Sequence, residues 1–147
     1  MPHDKYDKFN ISMPKDIADE IAARGDNRSE AIARSLDRYF AILETSRRAL
    51  AEKFDKRECG LILDTLNGCA FVDTISLQLV YANIEDSLDD GLDKKWKVDG
   101  KELVKKLRAL NYAENAALVD AAERWWNRVG NGERPDYDEL FKKRKKE

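Results

Sequence analysis

Histidine is almost missing from this chain. His3 is the only one in 147 residues. A structural zinc takes four ligands, and one histidine with Cys59 and Cys69 falls short of that set. There is no HExxH pair, no CxxC pair and no glycine-rich phosphate loop. Neither thiol has a histidine base to activate it. Carboxylates are abundant, but no spacing singles out a general acid–base pair. These absences predict a chain that is not an enzyme and that uses no cofactor and no metal.

Long apolar runs are also lacking. Nothing approaches the ~20 residues of a membrane span, and the N-terminus carries no apolar signal core. The expectation is a cytoplasmic protein with no membrane partner. Both cysteines have apolar neighbours, which reads as buried, reduced thiols rather than a disulfide framework. A strong net charge is missing too, since the formal value is −2. Residues 1–50 hold nine Lys/Arg and nine Asp/Glu, residues 51–136 hold 13 and 17, and residues 137–147 hold five and three. Any nucleic-acid footprint must therefore come from local clustering, with acidic side chains turned away.

What is present is organised. Lys8-Phe9-Asn10-Ile11-Ser12-Met13 alternates and then meets Pro14. In a strand, Phe9, Ile11 and Met13 would share one face, and Lys8, Asn10 and Ser12 the other. Pro14 suits a first helical position, and Ile17 with Ile21 marks a buried stripe. Gly25 is expected as a left-handed helix stop. A second helix is predicted from Asn27 or Ser29 through Ala49, with the stripe Ile32, Leu36, Tyr39, Phe40 and Leu43. Glu30 and Arg34 are spaced for an ion pair within it.

The order of strand, proline, helix, Gly25, then Asn27-Arg28-Ser29-Glu30-Ala31-Ile32 resembles the ribbon-helix-helix DNA-binding family of the Arc/MetJ/CopG type. The resemblance covers roughly residues 5 to 45 and implies a mainly α chain. Its N-terminal domain, residues 1–50, would supply one strand and two helices to a dimeric two-stranded ribbon. Lys8, Asn10 and Ser12 would contact bases in the major groove. Asn27, Arg28 and Ser29 would hold DNA phosphate at a helix start. Phe9, Ile11, Met13, Ile32 and Leu36 would form the dimer core. In this family the strand often carries an exposed arginine, and here Lys, Asn and Ser stand instead.

Residues 51–136 read as a separate α-helical domain. Three local start signals mark it: Asp55 with Glu58, Asp99 with Glu102, and Asn111 with Glu114. Helices should stop at Asn67-Gly68 and near Gly130 and Gly132. Residues 75–88 fit a helix better than a strand. Asp89-Asp90-Gly91-Leu92-Asp93 reads as a solvated turn, because it lacks the Asp spacing of a calcium loop. Of Trp125 and Trp126, which diverge by about 100° on a helix, one should be core and one partly exposed. Residues 137–147 read as a basic, disordered tail.

The functional expectation is a sequence-specific transcriptional regulator, more often a repressor in that family, acting on double-stranded DNA as a homodimer or higher homo-oligomer. Its helical domain would take a protein partner or a ligand. The alternatives are an antitoxin of a toxin–antitoxin pair and an accessory DNA-binding protein of plasmid transfer or partition.

Overall fold

The computed structural model describes residues 12–25, 27–66 and 77–142. Among these residues every regular element is helical. The chain divides into two compact units, Met1–Tyr39 and Phe40–Glu147. The division falls inside one long helix rather than at the interval between residues 50 and 51 that the sequence suggested.

In the N-terminal unit, α1 spans Lys15–Ala23, with Pro14 at its N-cap. Proline suits that place because its fixed φ starts the chain correctly and its missing N–H has no helical partner to lose. Helix α1 buries none of its residues. It ends on Arg24, whose N–H donates to the Ile21 carbonyl at 3.1 Å. Arg24 is right-handed, with φ −90°. The expected left-handed stop at Gly25 does not occur, because this tightened last turn already uses the free carbonyl. Helix α2 spans Arg28–Lys53 and continues into the second unit. Of its first-turn amides, which have no helical acceptor, that of Glu30 donates to the Asn27 side chain at 3.1 Å.

The expected strand is not found. Ser12 and Met13 are irregular, and no strand exists among the described residues. Lys8, Phe9, Asn10 and Ile11 lie outside the described residues. A ladder needs a second extended backbone, and the described residues offer Ser12 and Met13 none.

The C-terminal unit is built around α3, Lys56–Leu66, in which Cys59, Gly60, Leu61, Ile62, Leu63 and Leu66 are buried. Glu58 N–H donates to Asp55 at 2.8 Å and Asp55 N–H donates to Glu58 at 3.1 Å, the predicted reciprocal cap. Residues 77–89 form α4, Leu77–Asp89, as the sequence suggested. The acidic turn opens a short helix that the sequence did not signal, α5, Leu92–Trp96. Gly91 starts it at φ 79° and Lys97 closes it at φ 56°. Next come α6, Gly100–Arg108, capped by Asp99, and α7, Tyr112–Gly130, capped by the predicted Asn111–Glu114 box.

The chain then turns back through a single 3-10 turn, Tyr137–Glu139, and buries Leu140 and Phe141. Residues 137–142 are thus packed, contrary to the expectation of a disordered tail from 137. Residues 143–147 lie outside the described residues.

Charged groups close the ends of this core. The Lys53 ammonium meets the buried Glu114 carboxylate, and Lys106 donates to Glu58 at 2.9 Å. The nine-tenths buried Arg47 side chain donates to the Phe141 carbonyl and to Glu44. A four-ring cluster joins three elements. Tyr137 stacks on Trp125 at 5.6 Å and meets the edge of Trp96 at 4.7 Å, while Trp126 meets Trp125 at 4.9 Å.

Two predictions follow from this packing. A Cβ added to Gly60 would lie 2.4 Å from the Trp96 ring. That ring cannot retreat, being fixed by Tyr137 and by its own N–H donating to Asp64 at 2.8 Å. Gly60→Ala should cost about 2–3 kcal/mol and lower the urea midpoint by roughly 1 M in equilibrium denaturation. Glu114 is the second case. Burial pushes its carboxyl up, but the bonds from Lys53 and the Asn111 N–H, with the Lys53 charge, outweigh that and hold it below the ordinary value of 4.5. A depressed carboxyl stabilises the fold above its unfolded pKa, and that contribution is lost as pH falls through the folded value. Lys53→Ala should cost about 1–2 kcal/mol at pH 7, and the difference from the parent should shrink in denaturation curves below pH 4.

Candidate functional site

The start of α2 is the candidate surface in the N-terminal unit. Asn27, Arg28 and Ser29 are all exposed there. Asn27 serves as the cap of the helix, so its side chain is already engaged by Glu30 N–H. Arg28 makes no ion pair among the described residues, and neither does Arg38. Arg34 pairs loosely with Glu30, at 4.0 Å, as the spacing predicted. At about 100° per residue, Arg28 and Arg38 lie about 80° apart on α2, and Arg34 lies about 40° beyond Arg38, next to Glu30 and Asp37. Arg28 and Arg38 therefore stand apart from the acidic residues of the helix, and Arg34 stands beside them.

Beside Arg28 runs the apolar stripe. Of the residues expected in a dimer core, Ile32 is half-buried and Leu36 is 45% exposed in the single chain. Tyr39 and Phe40 on the same stripe are exposed as well. Met13 is half-buried, and Phe9 and Ile11 lie outside the described residues. Ser12, expected to face bases, is exposed, while Lys8 and Asn10 lie outside the described residues. The structure thus brings Asn27, Arg28 and Ser29 together and adds Arg34 and Arg38 to them. Sequence spacing places Arg34 in a pair with Glu30 and gives Arg38 no role.

The C-terminal unit holds a groove along α7. Two hollows, of about 460 and 350 Å³, adjoin at Arg47 and Arg124. Their walls carry four cations, Arg47, Arg124, Arg128 and Lys142, and four carboxylates, Glu44, Asp120, Glu133 and Glu139. Arg128 reaches Glu139 at 3.4 Å and Glu133 at 3.5 Å, and Lys142 reaches Asp138 at 3.1 Å. Burial pushes the Asp120 carboxyl up, against the pull of Arg124 and Arg47. The groove is polar and internally neutralised, so it selects no sign of ligand. Among the described residues no group of three metal-ligating side chains comes together.

The thiol and the tryptophans take structural places. Cys59 is buried and free, and burial, followed by the charges of Asp55, Glu58 and Asp138, pushes its thiol up to about 12. Trp125 is buried and Trp126 half-buried, the division the helical spacing predicted.

Compared with known proteins, the chain matches no protein-family model, no curated protein and no solved structure. The resemblance to the ribbon-helix-helix family is therefore corrected. Among the described residues there is no strand to build a ribbon, and no family model supports the assignment. No described helix is long and apolar enough to cross a membrane.

The Cys59 environment makes a direct prediction. A thiol held near 12 supplies almost no thiolate at pH 8. Peptide mapping after iodoacetamide treatment should find Cys59 unmodified in the native protein and modified after denaturation. Native labelling at a rate similar to that of the unfolded chain would contradict the buried placement.

Proposed function

We propose that this chain is a DNA-binding regulator that approaches the phosphate backbone with Arg28 and Arg38 of α2. The observation that carries this reading is the pair of exposed arginines on that helix that carry no counter-charge among the described residues. Arg28 and Arg38 are exposed about 80° apart on α2 and make no ion pair among the described residues, whereas Arg34 lies beside Glu30 and pairs with it. Guanidinium groups suit phosphate because their planar donors match its oxygens. The helix start adds backbone N–H groups of the first turn and the exposed Ser29. The C-terminal unit fits a regulator as a compact unit with its own core. The same fact weakens the antitoxin alternative, in which the partner-binding segment is typically short and gains order on binding. An accessory role in plasmid transfer or partition would use the same surface.

The test is a fluorescence-anisotropy titration of a labelled duplex at several salt concentrations. Parent protein should bind with an affinity that falls steeply with salt. Arg28→Ala and Arg38→Ala should each reduce the slope of log affinity against log salt by about one per subunit. Asp37→Ala should leave the slope unchanged or steepen it. No duplex binding at low salt, or an unaltered slope in the double arginine variant, would sink the reading.

A further inference from the structure

Positive charge in the C-terminal unit is gathered in one place. From Lys94 to Arg108 the chain holds seven Lys/Arg and two Asp/Glu, a formal +5 in a protein of −2. Three of the seven are neutralised within the unit. Lys95 reaches Asp64 at 3.2 Å, Lys106 reaches Glu58 at 2.9 Å and Arg108 reaches Glu85 at 2.8 Å. Lys94, Lys97, Lys101 and Lys105 are exposed, and their ammonium groups have no partner among the described residues. Of the carboxylates in and beside the stretch, Asp93 is half-buried and accepts the Lys94 N–H, and Asp99 accepts the Glu102 N–H at the α6 N-cap. Glu102 lies about 80° around α6 from the midline between Lys101 and Lys105. The acidic pair Asp89-Asp90 precedes α5, at the end opposite Lys97.

The free lysines are regularly placed. Lys97, Lys101 and Lys105 follow one another at intervals of four residues. Lys101 and Lys105 lie about 40° apart on α6 and about 6 Å apart along its axis. Burial of Leu103, Val104 and Leu107 leaves both of them on the outside of the unit. Lys97 closes α5 at φ 56° and ψ 44°, a left-handed conformation that favours glycine or asparagine. A lysine thus occupies a position that disfavours it, with no partner for its charge among the described residues. An outlier of this kind points to a function rather than to packing.

We propose that Lys97, Lys101 and Lys105, with Lys94 one turn away, form a nucleic-acid surface of the C-terminal unit that holds the phosphate backbone without reading bases. Exposed ammonium groups strung along the chain suit an extended polyanion, whose charges recur every ~3.4 Å along each strand. A small anion would need donors that converge on it. Residue type speaks against a protein partner, because lysine is depleted at protein interfaces. A membrane surface is disfavoured because α6 keeps its apolar residues in the core and has none to insert. The surface lies wholly in the C-terminal unit, so the inference does not rest on the reading of α2.

The test uses the full chain carrying Arg28→Ala and Arg38→Ala, so that those α2 side chains contribute nothing. The probe is a short labelled duplex of arbitrary sequence, titrated by fluorescence anisotropy at several salt concentrations. The arginine variant should still bind at low salt, with an affinity that falls as salt rises. Adding Lys101→Gln and Lys105→Gln should weaken binding roughly 10-fold and lower the slope of log affinity against log salt by about two. Glutamine matches lysine in helix propensity, so the melting temperature should not move. Lys97→Gly should weaken binding without lowering the melting temperature, since glycine relieves the left-handed backbone. A merely structural lysine would show the reverse pattern. Loss of all duplex binding in the arginine variant would overturn this inference and leave the α2 reading standing. An unchanged salt slope in the lysine variant would overturn it as well. Vesicles of phosphatidylcholine with about 30% phosphatidylserine, bound as tightly as the duplex and through the same lysines, would assign the surface to a membrane instead.

Discussion

Everything in the C-terminal unit depends on the burial of α3. Six of its eleven residues, Cys59, Gly60, Leu61, Ile62, Leu63 and Leu66, are apolar or glycine and are lost to solvent. A helix apolar on more than one side must be covered from several directions. Helices α4 and α5 and the turn at Tyr137–Glu139 supply that cover. Gly60 is the point of closest approach, where the absence of a side chain lets the Trp96 ring lie against the backbone. The burial of α3 also fixes the chemistry around it, because an encircled helix can hold a thiol but cannot ionise it.

Charges appear in this core only where a helix ends. Glu114 and Glu58 are both third-position cap residues, and both are nearly buried. Each accepts a backbone N–H with one oxygen and a lysine ammonium as well, Glu114 taking Lys53 with its other oxygen and Glu58 taking Lys106 with both. One residue thus satisfies a free amide and pairs two elements distant in sequence. Buried carboxylates are costly unless paired and hydrogen-bonded, and these are both. Arg47 plays the corresponding part for the C-terminal segment, since its guanidinium accounts for the Phe141 carbonyl where a helix would have used its own amide.

Signals contained within one turn were legible in the sequence. The boxes at Asp55–Glu58 and Asn111–Glu114, and the cap at Asp99, need only four consecutive residues, and each opens a helix where expected. Distant packing was not legible. Helix α5 is five residues long, too short to show a period, and it is specified by Trp96 finding Gly60. Leu140 and Phe141 are two apolar residues before a basic run, and only the core tells them from a tail. Gly25 was misread because a glycine permits a left-handed stop without requiring one. The alternation before Pro14 described a face but not a partner, and the described residues contain no strand. At the candidate surface, Asn27, Arg28 and Ser29 were visible as a helix start. The separation of Arg28 and Arg38 from the acidic residues required the register of a 26-residue helix, which composition alone hides behind a net charge of zero.

The tryptophans are unevenly placed. All three, Trp96, Trp125 and Trp126, belong to the C-terminal unit, and Tyr137 links them into one set of touching rings. The tryptophan fluorescence of the protein is consequently an observer of one unit alone. Excitation at the indole band reports whether the Tyr137 segment is docked and whether α5 still lies on α3. The state of α1 and of the first half of α2 goes unseen in that signal. A dye or an introduced tryptophan on those helices would supply the missing channel, and the two colours together would separate the unfolding of one unit from that of the other.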